Sequence, residues 1–548
     1  MEAKSQVSSL AQFINENLSD LTGPDDAPLV VLAPSDSSCS RQEQIESLET
    51  AVKTWAERPD QRLILVSSAA VYGPDYRSTE FVTEEVERGS WIKNAESDWW
   101  AEVEATVLKA AADRADEVLI LRPPTFIGGA SDRFSHGLSR ARFAFPTAGF
   151  DPCVQVVSAA SVANCVRAAF EKQLTGIYNI ASEDVVPLSV ILKFLGTWAL
   201  RFPRTFQQLL RPILFRWIDG MKSIAQLNFT RYPNTASGKK FAGATGLTIS
   251  TRDELQKLRR ERHPDATEEK NLPEFDPFGY VDSFRKSRGR TIHSFFEKIY
   301  WRIERKGFEH IPKSGPAIIA GPHRGFMPLD AVMHLHLITK YARRLPRFLI
   351  HPTLVKFPVQ SRFFRRLGGL LACQKNGDWV LENDGLLGVF PEGIRGAFKM
   401  YKDVYDLGKF GRPDYIKWSL KYRAPIVPFV VLGTAEIFPI FGKIKWNWFR
   451  RYMEWPFLPI TPTFPFLPVP LPSKWHVQFL PAIDPTEAEA EALETGENPE
   501  ILIARRVRES IEAATKEMLA KRKSIFRGSV FGDEKDGPAA IESEGEIS

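Results

Sequence analysis

Cysteine is scarce in this chain of 548 residues: Cys39, Cys153, Cys165 and Cys373 are its four, with no C-x-x-C pair among them. That excludes a disulfide framework and a zinc-finger signature, and it points to a reducing compartment. Long apolar runs are missing too. No stretch reaches the ~18 uncharged apolar residues that span a bilayer. The opening segment MEAKSQVSSLAQFINENLSD has no apolar h-region, so it does not read as a secretory signal. Any membrane contact is expected to be interfacial. A large excess of one charge is also lacking. Lys and Arg number 72 against 67 Asp and Glu, a net +5, too mild for a histone-like binder.

What is present is ordinary globular material: 43% hydrophobic and 25% charged residues. Phe (38) outnumbers Tyr (12) about threefold, and there are 39 Pro and 13 Trp. The aromatic and proline excesses concentrate in the C-terminal half. In the N-terminal half, LVVLAP (29–34), RLILVSSAAVYG (62–73), EVLILRPPTFIGG (117–129) and GIYNIAS (176–182) read as buried strands. Helical stretches separate them, the rhythm of a doubly wound α/β domain. Residues 197–217 have helical spacing and four arginines. Residues 251–289 read as a charged linker. Past it, PAIIAG, GLLGVFPEG and APIVPFVVLG read as further buried strands, and 500–522 as a late helix. The stretch 456–472 carries seven prolines and no charge, which forbids a helix. The expected layout is therefore a domain over 1–250, the linker, a second α/β domain over 290–525, and a disordered acidic tail over 526–548.

The chemistry concentrates in the second half. His323 follows a buried strand in GPHRGFMPLD, and Asp330 lies seven positions on. Gly325 and Pro328 argue for a loop between them, which would bring the carboxylate back onto the imidazole. A histidine so held can act as a general base through its other nitrogen. VFPEGIRG (389–396) then ends a strand in a glycine turn, with Arg395 as a planar fork suited to phosphate. APIVPF supplies an apolar wall.

In this order and spacing, these pieces resemble the glycerophospholipid acyltransferase family, the lysophosphatidic acid acyltransferase-like superfamily. Its motifs are N-H-x-x-x-x-D, F-P-E-G-T-R-S and an apolar V-P segment. Here Phe390-Pro391-Glu392-Gly393-Ile394-Arg395-Gly396 is close to the third motif, and Ile426-Val427-Pro428 to the fourth. The first departs: two extra residues separate His323 from Asp330, and Pro322 replaces the Asn. A bacterial subgroup with a G-N-H-S-G-G-L-P-L-D style motif shares that longer spacing. The resemblance implies acyl transfer from an acyl thioester, coenzyme A or acyl carrier protein, to a hydroxyl of a glycerolipid or lysophospholipid. His323 would be the base and Asp330 its orienting partner. Glu392, Gly393 and Arg395 would hold the acceptor head group, with Lys375 where the second motif usually supplies an Arg. Neither metal nor resident cofactor is implied.

The first half resembles an extended short-chain dehydrogenase/reductase of the NAD-dependent epimerase/dehydratase type, but a degenerate, truncated one. It has no G-x-x-G-x-x-G loop, and LVVLAP matches that family's fourth strand. Glu96 and Trp100 stand where the catalytic Tyr-x-x-x-Lys would be. The expectation is a Rossmann-like pseudoenzyme domain fused to an acyltransferase. The rivals are an NAD-dependent oxidoreductase with an inert appendage, and a non-catalytic lipid-binding scaffold. The segment 341–366 carries seven Lys and Arg and no acid, interleaved with aromatics. It suits an anionic membrane surface or the phosphates of coenzyme A, and no nucleic-acid motif accompanies it. The expected location is cytoplasmic, peripheral on the cytoplasmic face of a membrane.

Overall fold

The computed structural model describes residues 10–532, apart from 22–27, 35–39, 87–88, 90–91, 93, 128–142, 210–227, 264–270, 326, 409, 411–412, 465 and 467–468. The chain divides into two compact units, Met1–Gly279 with Phe357–Arg362, and Tyr280–Lys356 with Phe363–Ser548.

The first unit is built on a four-stranded parallel sheet. Its order is Leu29–Leu32, Arg62–Val66, Leu119–Arg122, Gly176–Asn179. Successive strand residues point to opposite faces. Leu63 and Leu65 meet the helices Arg41–Ala56 and Ala95–Ala110, while Ile64 and Val66 meet Leu10–Asn17 and Ala159–Glu171. Helices thus cover both faces, as a doubly wound α/β fold requires. Sequence-local caps start the helices: Ser40 and Glu43 form a capping box, and Asn94 accepts from the backbone of Glu96 and Ser97. Among the described residues Leu29–Leu32 is an edge strand of this sheet.

Three expectations change, two in this half and one at the far end of the chain. Thr251–Arg262, placed in a linker, is a helix of the first unit. Its Leu255 and Leu258 are buried with Val156, Ile191 and Leu192, and its buried Glu254 accepts from the Ser158 backbone at 2.8 Å. The charged outer face hid an apolar stripe of i, i+3 spacing. The helix drawn over 197–217 begins later: Trp198–Ala199 is a short strand beside Phe143–Ala144, and a helix runs from Arg204 to Leu209. Pro203 sits at that boundary, and 210–217 lies outside the described residues. In the expected tail, Val530 and Phe531 are buried; 533–548 lies outside the described residues.

The second unit holds a seven-stranded sheet. Its order is Glu304–Lys306, His476–Phe479, Ile426–Leu432, Ala317–Ala320, Leu386–Val389, Pro346–Ile350, Leu370–Leu371. Only the Ile426–Leu432 and His476–Phe479 pair is antiparallel. The central strands are apolar along their whole length because both faces are covered. The late helix, Pro499–Lys521, packs against Ile426–Leu432.

The basic segment 341–366 also departs from expectation. It contains the strand Pro346–Ile350, and two of its arginines are buried. Arg344 donates to the carbonyls of Pro312 (2.8 Å), Gly315 (2.7 Å) and Asp384 (2.9 Å), and Arg347 to that of Gly368 (2.9 Å). Composition alone does not separate a solvated arginine from one that satisfies backbone carbonyls. Among the described residues no helix is long and apolar enough to cross a membrane, and no cluster of three or more His, Cys, Asp or Glu is placed to hold a metal.

Candidate active site

Parallel pairing sets the site. Ala320 lies opposite Val389, so these two parallel strands end at one level, while Ile426–Leu432 runs on past Pro428 beside them. The loops leaving their C-terminal ends therefore start side by side, the usual place for a site in such sheets. One loop carries His323, the next Phe390-Pro391-Glu392-Gly393. Gly321 opens the first because a Cβ there would come within 2.6 Å of the Phe429 ring. Gly396 lets the second loop press on the first: a Cβ would stand 3.0 Å from the His323 carbonyl and 2.8 Å from the Glu392 Cβ. Gly393 itself has φ +56, a conformation that favours glycine.

Asp330 is not in a loop. It occupies the first turn of the helix Leu329–Tyr341, where the helix dipole favours a carboxylate. Its Oδ1 accepts from the Ala331 backbone at 2.7 Å and its Oδ2 from the Arg324 backbone at 3.2 Å. That same Oδ2 lies 2.6 Å from His323 Nδ1. The carboxylate is buried and cannot swing away. With Nδ1 so engaged, Nε2 is the nitrogen left to exchange a proton. The ring packs tilted on Phe390, centroids 4.6 Å apart. Burial disfavours the charged imidazole, but the charge and hydrogen bond of Asp330 outweigh it, helped by Glu392, and hold the His323 pKa above its ordinary range. One turn on, His334 meets the Asp330 carbonyl through Nδ1 at 2.7 Å, and burial lowers its pKa.

His323 lines a cavity of about 230 Å³ whose other walls are mainly apolar, among them Leu349, Ile350, Leu354, Phe398, Trp418 and Trp455. Gly393 also lines it. Glu392 does not; its buried carboxylate is held by Lys399 and by the Gly408 backbone at 2.7 Å. Arg395 is exposed on the turn Ile394–Ala397, and Lys375 sits on the helix Gln374–Glu382; neither lines the cavity.

The segment 302–432 matches the family model described as Acyltransferase. It spans His323, Asp330, the Glu392 turn and the whole Ile426–Leu432 strand. An uncharacterised protein of Mycobacterium tuberculosis is 33% identical over 261 residues, 46% of this chain and 72% of that protein. The chain carries an acyltransferase-family domain over 302–432 and belongs to one family with the mycobacterial protein. Among solved structures, the 1-acyl-sn-glycerophosphate acyltransferase of Thermotoga maritima is similar at 18% identity and a TM-score of 0.29, over 43% of this chain and 82% of that one. The dTDP-glucose 4,6-dehydratase of Bacillus anthracis is similar at 12% identity and a TM-score of 0.33, over 47% and 79%.

Sequence reading missed a buried polar cluster that begins at the residue after His323. Arg324, next to the histidine, is 1% exposed. Its guanidinium donates to the Val404 carbonyl and stands 4.9 Å from the Tyr405 ring. Burial lowers its pKa. The Tyr405 hydroxyl donates to Glu436 at 2.8 Å and accepts from Arg522 at 3.0 Å, and Arg522 also pairs with Glu436. A chain of contacts therefore runs from the His323 loop to the end of the C-terminal helix. An arginine beside the histidine was the one visible signal, and its partners lie 80 or more positions away.

Proposed function

We propose that the protein is an O-acyltransferase that moves a fatty acyl group from an acyl thioester to a hydroxyl of a glycerolipid or lysophospholipid, at the cytoplasmic face of a membrane. One observation carries this reading: a His323–Asp330 pair at 2.6 Å, on the wall of an apolar cavity. The cavity suits an acyl chain. His323 Nε2 takes the proton of the acceptor hydroxyl as its oxygen attacks the thioester carbonyl. Asp330 stabilises the imidazolium that results. The tetrahedral intermediate then expels the thiolate, which receives the same proton from Nε2. Atoms and charge balance with no covalent enzyme intermediate, metal or redox step. The donor is an acyl thioester of coenzyme A or of an acyl carrier protein. Gly393, on the cavity wall, and Arg395, exposed on the adjoining turn, are the proposed contacts of the acceptor head group; Glu392, held by Lys399 and the Gly408 backbone, would brace that turn, and Lys375 would act from outside the cavity.

The test is purified full-length protein with a labelled acyl-coenzyme A and a panel of lysolipid and glycerol acceptors, read by lipid chromatography. Labelled glycerolipid that disappears in His323→Ala supports the reading. Release of free fatty acid alone, or wild-type turnover by His323→Ala, overturns it.

A further inference from the structure

The acyltransferase domain carries a protrusion that its own core does not cover. Gly442–Ile444 pairs antiparallel with Leu458–Ile460, and the short helix Asn447–Met453 fills the connection. Along it Phe441 (61% exposed), Ile444 (47%), Trp446 (50%), Trp448 (60%) and Tyr452 (49%) face outward. The rings lean on one another: Trp446 and Trp448 centroids are 5.2 Å apart, and Trp448 stacks on Tyr452 at 5.4 Å. This fixes their positions and leaves them wet. Contiguous exposed aromatics of this size mark an interaction surface.

Charge selects the partner. From Phe441 to Met453 the chain has four cations, Lys443, Lys445, Arg450 and Arg451, and no acid. All four are exposed. Two copies of the patch facing each other across a two-fold axis would set cation against cation, so self-association is disfavoured. Tryptophan and tyrosine with flanking Lys and Arg are the side chains that settle at a bilayer's interfacial layer, apolar ring inward and charge on the headgroups. The protrusion also leads to the cavity. Trp455, two residues past the helix, lines it and touches Phe449 and Phe398 at 5.7 and 5.4 Å.

We infer that Phe441–Met453 is the element that seats the domain on an anionic phospholipid bilayer. Its purpose rests on the proposed acyl transfer, but the binding does not require turnover. The test uses the full chain carrying His323→Ala, co-sedimented with phosphatidylcholine vesicles with and without phosphatidylglycerol. Binding should be tighter with phosphatidylglycerol and weaken with salt. Lys443→Glu with Lys445→Glu should lower it by about fivefold or more per cation. Trp446→Ala with Trp448→Ala should weaken it by about tenfold or more. Both variants should keep the thermal midpoint, since these side chains are outside the core. No sedimentation, indifference to phosphatidylglycerol, wild-type binding by either variant, or tighter binding of single-stranded RNA than of vesicles would each overturn the inference. Vesicle binding by the parent chain without acyl transfer in the wild type would sink the proposed function and leave this surface standing.

Discussion

His323 stands in the loop after a parallel strand and Asp330 in the first turn of a helix, yet Nδ1 of the first lies 2.6 Å from Oδ2 of the second. The two backbone N–H groups that Asp330 accepts from Arg324 and Ala331 fix the carboxylate before any substrate arrives. Preorganisation of this kind sets both the tautomer and the basicity of the imidazole.

His323→Ala should cut acyl transfer by about 10²–10⁴-fold, the usual effect of losing a general base, with the thermal midpoint close to wild type. A rate within a few-fold of wild type would remove His323 from the mechanism.

The pH profile separates Asp330 from a merely structural acid. Neutral imidazole is the active base, and its pKa is held above the ordinary histidine range. Activity should therefore rise with pH through that raised value. Asp330→Asn keeps an oxygen for the backbone donors but removes the charge. Its acidic limb should move to lower pH while the plateau rate falls. An unmoved limb would mean that Asp330 does not tune the base.

Gly321 and Phe429 should be coupled. Gly321→Ala places a methyl within 2.6 Å of the Phe429 ring, at the base of the His323 loop. Overpacking of this kind costs about 1–3 kcal/mol, and the loop shift should lower turnover as well. Phe429→Leu in the same chain should restore part of both, a coupling that a double-mutant cycle reads directly. Strict additivity of the two changes would refute the contact's role.

The four strands of the first unit's main sheet and the three central strands of the second, Ala317–Ala320, Leu386–Val389 and Ile426–Leu432, were legible as short apolar runs; Glu304–Lys306, Pro346–Ile350 and His476–Phe479 carry charged or polar residues, and Leu370–Leu371 is two residues long, so none of these four stood out. The His323 loop and the Glu392 turn were legible as motifs. The loop expected between His323 and Asp330 is present; what the sequence did not reveal is that Pro328 closes it as the N-cap of a helix, which puts Asp330 in a helical first turn. Arg344 and Arg347 were read as surface charge because nothing local reveals the carbonyls they satisfy. The Tyr405, Glu436 and Arg522 cluster was invisible for the same reason: its members are far apart in sequence and none forms a motif.

That cluster is a strong stability determinant. The Glu436 and Arg522 side chains are 4% and 7% exposed and share the Tyr405 hydroxyl. Removing one partner strands the other as a buried charge, at about 3–5 kcal/mol. Arg522→Met should lower the unfolding free energy, read from denaturant titration, by that amount. Adding Glu436→Gln should recover part of the loss, because the stranded charge goes. A single variant as stable as wild type would show that the pair is open to water in solution.

The first unit should bind neither NAD nor NADP. Dinucleotide binding needs a glycine turn after the strand that leads to it, so that backbone N–H groups meet the pyrophosphate; here Leu29–Leu32 is followed by Ala33-Pro34-Ser35-Asp36, with no glycine. The polar groups at the strand ends are spent on one another. Ser67 donates to Glu104 at 2.6 Å, Arg122 grips the same carboxylate at 2.6 Å, and Tyr72 donates to Asn179 at 2.8 Å. Burial opposes the Arg122 charge, but Glu104 outweighs it and holds the guanidinium firmly protonated. Glu96, standing where the catalytic tyrosine would be, faces Arg41 at 3.4 Å and offers no phenol. Glu104→Gln should therefore destabilise the unit by about 3–5 kcal/mol, as expected when a buried cation loses its partner, without changing any response to nucleotide. Calorimetric titration of the full chain with NAD(H) and NADP(H) should give no saturable heat at micromolar concentrations. Saturable micromolar binding, lost in Glu104→Gln, would instead make this network part of a working dinucleotide site and restore an oxidoreductase reading for this half of the chain.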